Sequence, residues 1–468
     1  MNQRSIFTIF ILFVIGFILF YTGHPETIPE AGWRAFVIFF LTIIAIILKP
    51  LPIGALAIIA MTTATVTKTL SLEEVLLGFG SDIVWLVLAA FFISLGFIKT
   101  GLGTRIAYYF VTILGKKTIG LSYGLLASDL ILAPAIPSVT ARSGGVIFPI
   151  TEGLAKSFGS TPEGKSERKI GSFLMMVAFQ GSTITSAMFL TAMAANPFII
   201  SLVQDAGYTV SWGLWALAAL VPGLLSLLLL PLLIYKVYPP TIRDTSDAPR
   251  LARAKLKEMG KLKREEFFML MTFVLLLALW IGGGFFGLKA TVAALVGLSL
   301  LLIFDVLDWK DVLKEHKAWD TFIWFATLVT LASSLNKHGF TPWLSQQVVG
   351  LVGEMPWGIA FLLLFLIYFY SHYFFASNTA HVGAMFPAFL LVAIGLGTPP
   401  MLAIFALAFA SNLFGGLTHY GSGPAPLYYG SGYVNLKIWW KLGFLVSVMN
   451  ILVWLIVGGA WWKVLGLW

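Results

Sequence analysis

The chain is 468 residues long, 59% hydrophobic, 15% aromatic and only 11% charged, with a mean hydropathy of +0.91. Soluble domains are roughly a quarter charged, so the composition excludes a water-soluble fold; several apolar runs reach the roughly 20 residues that span a hydrocarbon core of about 30 Å, which indicates an all-α polytopic membrane protein. Cysteine is absent, which excludes thiolate metal sites, cysteine nucleophiles and disulfides, and the net charge of +9 suggests a nucleic-acid partner until its distribution is considered.

The first apolar run, Ile6 to Tyr21, is too long for the core of a cleavable signal and lacks a small-residue cleavage site, so it reads as a spanning helix. From a cytoplasmic N-terminus, helices are expected near 5–22, 32–49, 52–68 and 82–99, with Asp82 as an N-cap. The segment 120–158 is bounded by Gly115-Lys116-Lys117-Thr118 and by the basic stretch Lys165 to Lys169. Both of its ends therefore lie on the positive, cytoplasmic side, which makes it a re-entrant hairpin with Pro137-Ser138-Val139-Thr140 at its tip. Helices near 170–203 and 211–236 follow. The connector 237–264 then gathers Arg250, Arg253, Lys255, Lys257, Lys261, Lys263 and Arg264. That is a positive-inside signature on a solvated connector, and no groove-reading or base-stacking element accompanies it, so nucleic acid is not a partner. Helices near 266–285, 289–305 and 320–337 come next, then a second hairpin at 357–396 with Ser377-Asn378-Thr379 at its tip, and last helices near 400–420 and 438–466. The expected organisation is an N-terminal helix (1–30), a first repeat (31–236), the connector (237–264) and a second repeat (265–468).

The two tips carry one phrase written twice, Ser138-Val139-Thr140-Ala141-Arg142 and Ser377-Asn378-Thr379-Ala380-His381, each followed by a Phe-Pro pair at 148–149 and 386–387. Upstream, Asp82 matches Asp320, and Lys99-Thr100-Gly101-Leu102 matches Lys337-His338-Gly339-Phe340, both at an offset of 238 residues; the phrases follow at 239. Counting spans, the first unit starts outside and the second inside, an inverted-topology repeat of about 11 helices with its substrate site near the midplane.

Each tip ends one helix and starts another, leaving free N–H groups and a partial positive dipole at the bilayer centre. Such backbone is tolerated only where it is buried in protein or lines a cavity. With the Ser and Thr hydroxyls as further donors, two opposed tips suit two carboxylates, hence a dianion. The stretches after each hairpin, Gly181-Ser182-Thr183-Ile184-Thr185-Ser186 and Gly415 to Pro424 with Thr418 and His419, are rich in small and polar residues; they read either as helix packing or, better, as broken helices that complete the site. The candidate substrate-binding set is Ser138, Val139, Thr140, Arg142, Ser377, Asn378, Thr379, His381, Ser182, Thr183, Thr418 and His419.

These phrases, each with a Gly-Gly or Thr-Ser stretch after it, resemble the divalent anion:sodium symporter family of dicarboxylate and citrate carriers, over about Asp82 to Pro426. Pro137 to Gly145 is most similar to the exchanger branch of 2-oxoglutarate/malate translocators and citrate/succinate antiporters. The resemblance implies a homodimer in the cell membrane, each protomer with a scaffold and a transport domain that moves as an elevator, and tips that bind substrate carboxylates. Sodium-coupled members have asparagine in both tip phrases, whereas the first is Val139 here. Valine offers no oxygen, and a hard cation is repelled by a guanidinium such as Arg142. The expectation is therefore sodium-independent exchange of di- or tricarboxylates, with no metal and no cofactor, driven by fixed positive charge at Arg142 and on a protonated His381 that remains when the site empties; one cation site near Asn378 stays open.

Duller roles are available to several residues. Arg142 can pair with Asp129 or snorkel, His381 can donate to a helix carbonyl, and Lys99 and Lys337 fit interfacial snorkelling. Asp82 and Asp320 need be no more than N-caps. Sodium-coupled dicarboxylate symport, cation/proton antiport and transport of another anion remain as alternatives. An enzyme is not expected, because no nucleophile, base and oxyanion set occurs within the spans.

Overall fold

The computed structural model describes residues 3–163, 166–352 and 355–468; Lys165, used above to place the first hairpin, lies outside them. These residues form helices and no strand, apart from one bridge between Lys117 and Asp244. Nine of the described helices are long and apolar enough to cross a membrane, with shorter apolar helices between them.

In chain order, α1 (Gln3–Tyr21) and α2 (Glu30–Leu48) are followed by α3 (Ile53–Val66), the short α4 (Leu72–Leu76), α5 (Asp82–Thr100) and α6 (Leu102–Leu114). The first hairpin is α7 (Thr118–Leu132), an extended tip, a π-helical stretch (Thr140–Ile147) and α8 (Phe148–Ser157). A broken helix follows as α9 (Gly171–Met188) and α10 (Ala195–Asp205), then α11 (Trp212–Val237) and α12 (Ala248–Met259). The series then restarts with α13 (Arg264–Phe286), α14 (Ala290–Ile303), α15 (Trp309–Lys314), α16 (His316–Lys337) and α17 (Phe340–Val352). The second hairpin is α18 (Trp357–Tyr370) and α19 (Asn378–Gly395), and its broken helix is α20 (Pro400–Leu413) and α21 (Ala425–Gly430). The chain closes with α22 (Leu436–Leu452), a π-helical stretch (Val453–Gly458) and α23 (Gly459–Val464). Each of the eleven expected spans has a counterpart, two of them interrupted as broken helices and the last by a π-helical stretch.

The two series match in their details. Capping boxes open both α4, through Ser71 and Glu74, and α15, through Asp308 and Asp311. Each short helix then grips the end of the long helix from the other series: Glu74 pairs with Lys337 at the end of α16, and Asp311 with Lys99 at the end of α5. Lys99 and Lys337 are therefore ion-pair partners rather than snorkelling residues. Burial follows the same exchange, since α3 packs on α16 and α5 on α14. Among helices in lipid, close packing and hydrogen bonds hold the bundle more than apolar burial does, and the outward faces, such as Phe7, Phe10, Phe13 and Phe17 of α1, are left apolar and exposed.

Four expectations change. Asp320 is not an N-cap; it lies inside α16, whose N-cap is Glu315. Asp82 is the first residue of α5 after Ser81, and its carboxylate pairs with Lys289 at 2.9 Å. The connector 237–264 is not merely solvated, because α12 docks on α6 with Ala248 and Ala252 buried. It is held there by Arg105, buried on α6, which binds Glu266 through Nε at 2.8 Å and Nη2 at 2.9 Å and the Gly260 carbonyl through Nη1 at 3.0 Å. Finally, Gly181 to Ser186 is not a break. Those residues lie within the continuous α9, and the interruption falls later, between Met188 and Ala195.

Candidate functional site

The tips are built alike. In the first, Ser138 Oγ accepts from the Ala141 N–H at 3.2 Å and the Ser138 carbonyl from the Arg142 N–H at 2.9 Å. In the second, Ser377 Oγ accepts from the Ala380 N–H at 3.4 Å and its carbonyl from the His381 N–H at 3.1 Å. Both serines thus act as N-caps, and the N–H groups of the first helical turn that a cap does not reach stay available.

Between the tips lies a cavity of about 340 Å³. Residues 137–140 and 376–379 face each other across it. Thr183 and Ser186 of α9 line it with Met193 and Ala194 of the first break, and from the second half Asn412, Ser422 and Gly423 contribute. Ile46, Ile53, Phe91 and Trp324, from α2, α3, α5 and α16, form an apolar wall, and Lys49 flanks it. The approach around Thr140 is close: a Cβ added at Gly423 would run into Thr140 Oγ1.

Of the expected site residues, Ser138, Val139, Thr140, Thr183, Ser377, Asn378 and Thr379 come together at this cavity. Arg142, His381, Ser182, Thr418 and His419 do not line it, and their surroundings show why. Arg142 is fully buried behind its tip. Its Nε binds Asp129 Oδ1 at 3.1 Å, Nη1 the carbonyls of Ile136 and Ala192 at 2.9 Å each, and Nη2 Ser186 Oγ at 2.8 Å. The guanidinium therefore ties the tip to the first break, and its charge is cancelled in place by Asp129, which also accepts from Thr185. His381 points away as well. Its Nδ1 faces His372 Nδ1 at 2.9 Å, while His372 Nε2 lies 2.8 Å from the Gly421 carbonyl. With the Nε2 proton of His372 donated to that carbonyl, its Nδ1 is left to accept the Nδ1 proton of His381, whose Nε2 lies 3.2 Å from Ser371 Oγ. Both rings stack on Phe414, at 4.0 and 4.4 Å between centroids, and His381 also on Phe375 at 4.4 Å. Ser182 bonds back to Phe179, and His419 accepts from Trp440 Nε1 at 3.3 Å. Thr418 is buried, and its hydroxyl has no partner among the described residues.

Buried amides cross-link the two breaks. Asn196 Nδ2 donates to the carbonyls of Ser186 at 2.9 Å and Phe189 at 3.0 Å, which α9 leaves unpaired where it stops. Its Oδ1 accepts from Asn412 Nδ2 at 2.7 Å. Gln180 Nε2 donates to Gly416 O at 2.8 Å and Asn378 Nδ2 to Ser411 O at 2.9 Å. The sequence reading missed Gln180, Asn196 and Asn412, although an amide inside an apolar run is itself a signal, since it costs free energy unless it finds partners. Two buried oxygens of cavity-lining residues, Asn412 Oδ1 and Ser422 Oγ, have no partner among the described residues.

Comparison with known proteins agrees with this architecture. A family model described as the sodium:sulfate symporter transmembrane region matches residues 3–468. The chain is 54% identical over 455 residues to YflS of Bacillus subtilis, covering 97% of this chain and 95% of that protein. It is 50% identical over 456 residues to dicarboxylate transporter 1, chloroplastic, of Spinacia oleracea, covering 97% and 80%. Among solved structures, the Alcanivorax borkumensis YdaH transporter superposes with a TM-score of 0.61 at 13% identity over 99% of this chain and 98% of that one, which speaks to the fold alone.

Proposed function

Because the chain belongs to the family of the sodium:sulfate symporter transmembrane region, we propose that this multi-pass membrane transporter carries dicarboxylates, by sodium-independent exchange and an elevator movement. The observation that carries the reading is the cavity between two capped helix starts, where Ser138, Thr140, Ser377 and Thr379 stand ready for two carboxylates. The relatives named as dicarboxylate transporters support the substrate class.

Sodium independence is supported by the place of Arg142. The backbone carbonyls and hydroxyls behind the first tip are oxygen ligands of the kind a hard cation needs, and a tethered guanidinium occupies them. The fixed-charge argument for exchange changes, however, since Asp129 neutralises Arg142 and His381 is turned away from the cavity onto His372. What the sliding body retains when it empties is uncharged, since Lys49 belongs to the other body: free N–H groups and hydroxyls that lose their ligand and must cross hydrated or not at all. An anion that satisfies them eases the crossing, which favours exchange over net uptake.

An elevator is supported by how unevenly the polar bonds are distributed. Tips and breaks are stitched together by Arg142, Gln180, Asn196, Asn378 and Asn412, whereas the wall they face is Ile46, Ile53, Phe91 and Trp324. One cross-linked body can slide against such a wall with few hydrogen bonds to break. On this reading α2–α6 and α13–α17 form the scaffold, the two series are an inverted-topology repeat, and the protein works as a homodimer in the cell membrane with the basic connector and the N-terminus in the cytoplasm. A sodium-coupled symporter is the second reading, favoured by the unpartnered oxygens of Asn412 and Ser422 near Asn378.

Counterflow in proteoliposomes tests the proposal. Vesicles preloaded with succinate, malate or 2-oxoglutarate should take up labelled dicarboxylate with choline or sodium outside alike, and empty vesicles almost none. Thr140→Ala and Thr379→Ala should each reduce counterflow sharply. Strict sodium dependence, robust uptake into empty vesicles, or full activity in both variants would refute it.

A further inference from the structure

We infer that Lys49 is a one-sided anion-attracting residue, which raises the apparent affinity for the dianion only from the membrane face to which the cavity is turned in this conformation. The inference rests on the proposed dicarboxylate function and adds to it a residue outside the tips.

Among the described residues that line the cavity, Lys49 is the only one with a formal charge. Its side chain is exposed, and no ion pair or hydrogen bond holds its ammonium among the described residues. Arg142, behind the first tip, is buried and neutralised by Asp129. A dianion approaching the tips therefore meets one uncompensated positive charge, at the rim.

The backbone shows that this position is unusual. Lys49 caps α2 in the left-handed conformation, with φ 51° and ψ 47°, its N–H donating to the Ala45 carbonyl at 2.8 Å. Residues other than glycine and asparagine avoid that conformation at a helix end. The matching turn of the second series, at the end of α13, has glycine at the same cap, Gly287, with φ 65°. Backbone geometry thus calls for glycine in both turns, and in one of them a long cationic side chain stands instead. The turn continues Pro50-Leu51-Pro52, whose fixed φ angles hold the lysine in place relative to the cavity.

The placement also makes the effect directional. Lys49 joins α2 to α3 in the scaffold, while the tips belong to the body that slides. When the tips turn to the other face, the ammonium stays behind, and the turn that replaces it in the symmetry-related position presents Gly287, its own lysine, Lys289, being neutralised by Asp82. A charge fixed at one mouth raises local anion concentration and the association rate at that mouth alone. It does not change the equilibrium across the membrane, because it leaves the substrate-free and substrate-bound end states of the solutes untouched.

The test is side-resolved exchange in vesicles of known protein orientation, with whichever of succinate, malate or 2-oxoglutarate the wild-type protein exchanges fastest. Lys49→Gly, which keeps the backbone that Gly287 shows to be accessible, should raise KM about 3- to 10-fold from one face and leave the other within about twofold. Lys49→Gln, which keeps a side chain, should do the same, Lys49→Arg should restore the low KM, and Lys49→Glu should exceed the Gly effect. Wild-type KM from the affected face should rise with ionic strength more steeply than that of Lys49→Gly. Equal changes from both faces, no change from either, or no rescue by Lys49→Arg would overturn the inference. Absence of dicarboxylate exchange by the wild-type protein would instead overturn the proposed function, and this inference with it.

Discussion

Replacing Arg142 by methionine separates a structural guanidinium from a substrate-binding one. Methionine fills part of the volume but leaves the Asp129 carboxylate, buried in α7, without its cation, and frees the Ile136 and Ala192 carbonyls and the Ser186 hydroxyl. Breaking a buried ion pair by removing one partner costs about 3–5 kcal/mol, chiefly for the uncompensated charge that remains. A loss of that size should lower the apparent Tm of the purified protein by on the order of 10 °C. The double variant Arg142→Met/Asp129→Leu removes both charges and should recover most of the loss, because replacing a buried pair by apolar groups is often neutral. Arg142→Ala, which empties the oxygen-lined space, should be stabilised more by sodium chloride than by choline chloride, unlike the wild type. A variant Arg142→Met that melts within about 2 °C of wild type while its KM rises tenfold would refute the reasoning, for the guanidinium would then be spending its bonds on substrate.

Gly423→Ala should raise KM several-fold in counterflow with little change in melting, because the added methyl meets the Thr140 hydroxyl at the cavity edge; an unchanged KM would mean that Thr140 can yield without cost. His419→Ala should leave exchange within about twofold of wild type, since its hydrogen bond is a partly exposed contact with Trp440 outside the cavity. Glu74→Gln should destabilise by about 0.5–1 kcal/mol at neutral pH, as an incompletely buried pair does. The hydrogen bond from Lys337 lowers the Glu74 carboxyl from 4.5 to about 2 in the folded protein. A depressed carboxyl contributes its stability above the unfolded value and loses it as pH falls through the folded one. The gap between wild type and Glu74→Gln in thermal melts should therefore be full above about pH 4.5 and close toward pH 2; a gap that widens on acidification would contradict the pairing.

The long helices and both hairpins were legible because their signals are local: apolar length, a Pro-Ser or Ser-Asn-Thr break, and basic residues at the ends. The short α6 and α17, of 13 residues each, were not, since their polar anchors are distant in sequence; Arg105 finds Glu266 161 residues later. The first break was misplaced for a definable reason. Ser182, Thr183 and Ser186 turn their hydroxyls back onto carbonyls three or four residues earlier, so a stretch with the composition of a loop remains helical. The true interruption, Phe189 to Ala194, contains neither glycine nor proline and is held by Asn196 instead. At the tips, the phrase located the serines and threonines but not the direction of the next basic residue. In the first hairpin a π-helical stretch follows the tip and Arg142 reaches Asp129. In the second a regular α-helix follows and His381 meets His372. Lys49 lies about 90 residues before the first tip in a proline-flanked turn, where it looks like any interfacial lysine.

The contrast between what lies behind the two tips has a mechanical meaning. Behind the first, a guanidinium is bound at several points at once to two stretches of backbone and a carboxylate, so that tip and break bend together or not at all. Behind the second, two imidazoles joined by one hydrogen bond are stacked with two phenyl rings, and no ion pair among the described residues fixes them, so this side yields more readily than the first. On the proposed reading the anion is held between a stiff jaw and a more compliant one, and adjustment to acids of different length falls to the side of Ser377, Asn378 and Thr379.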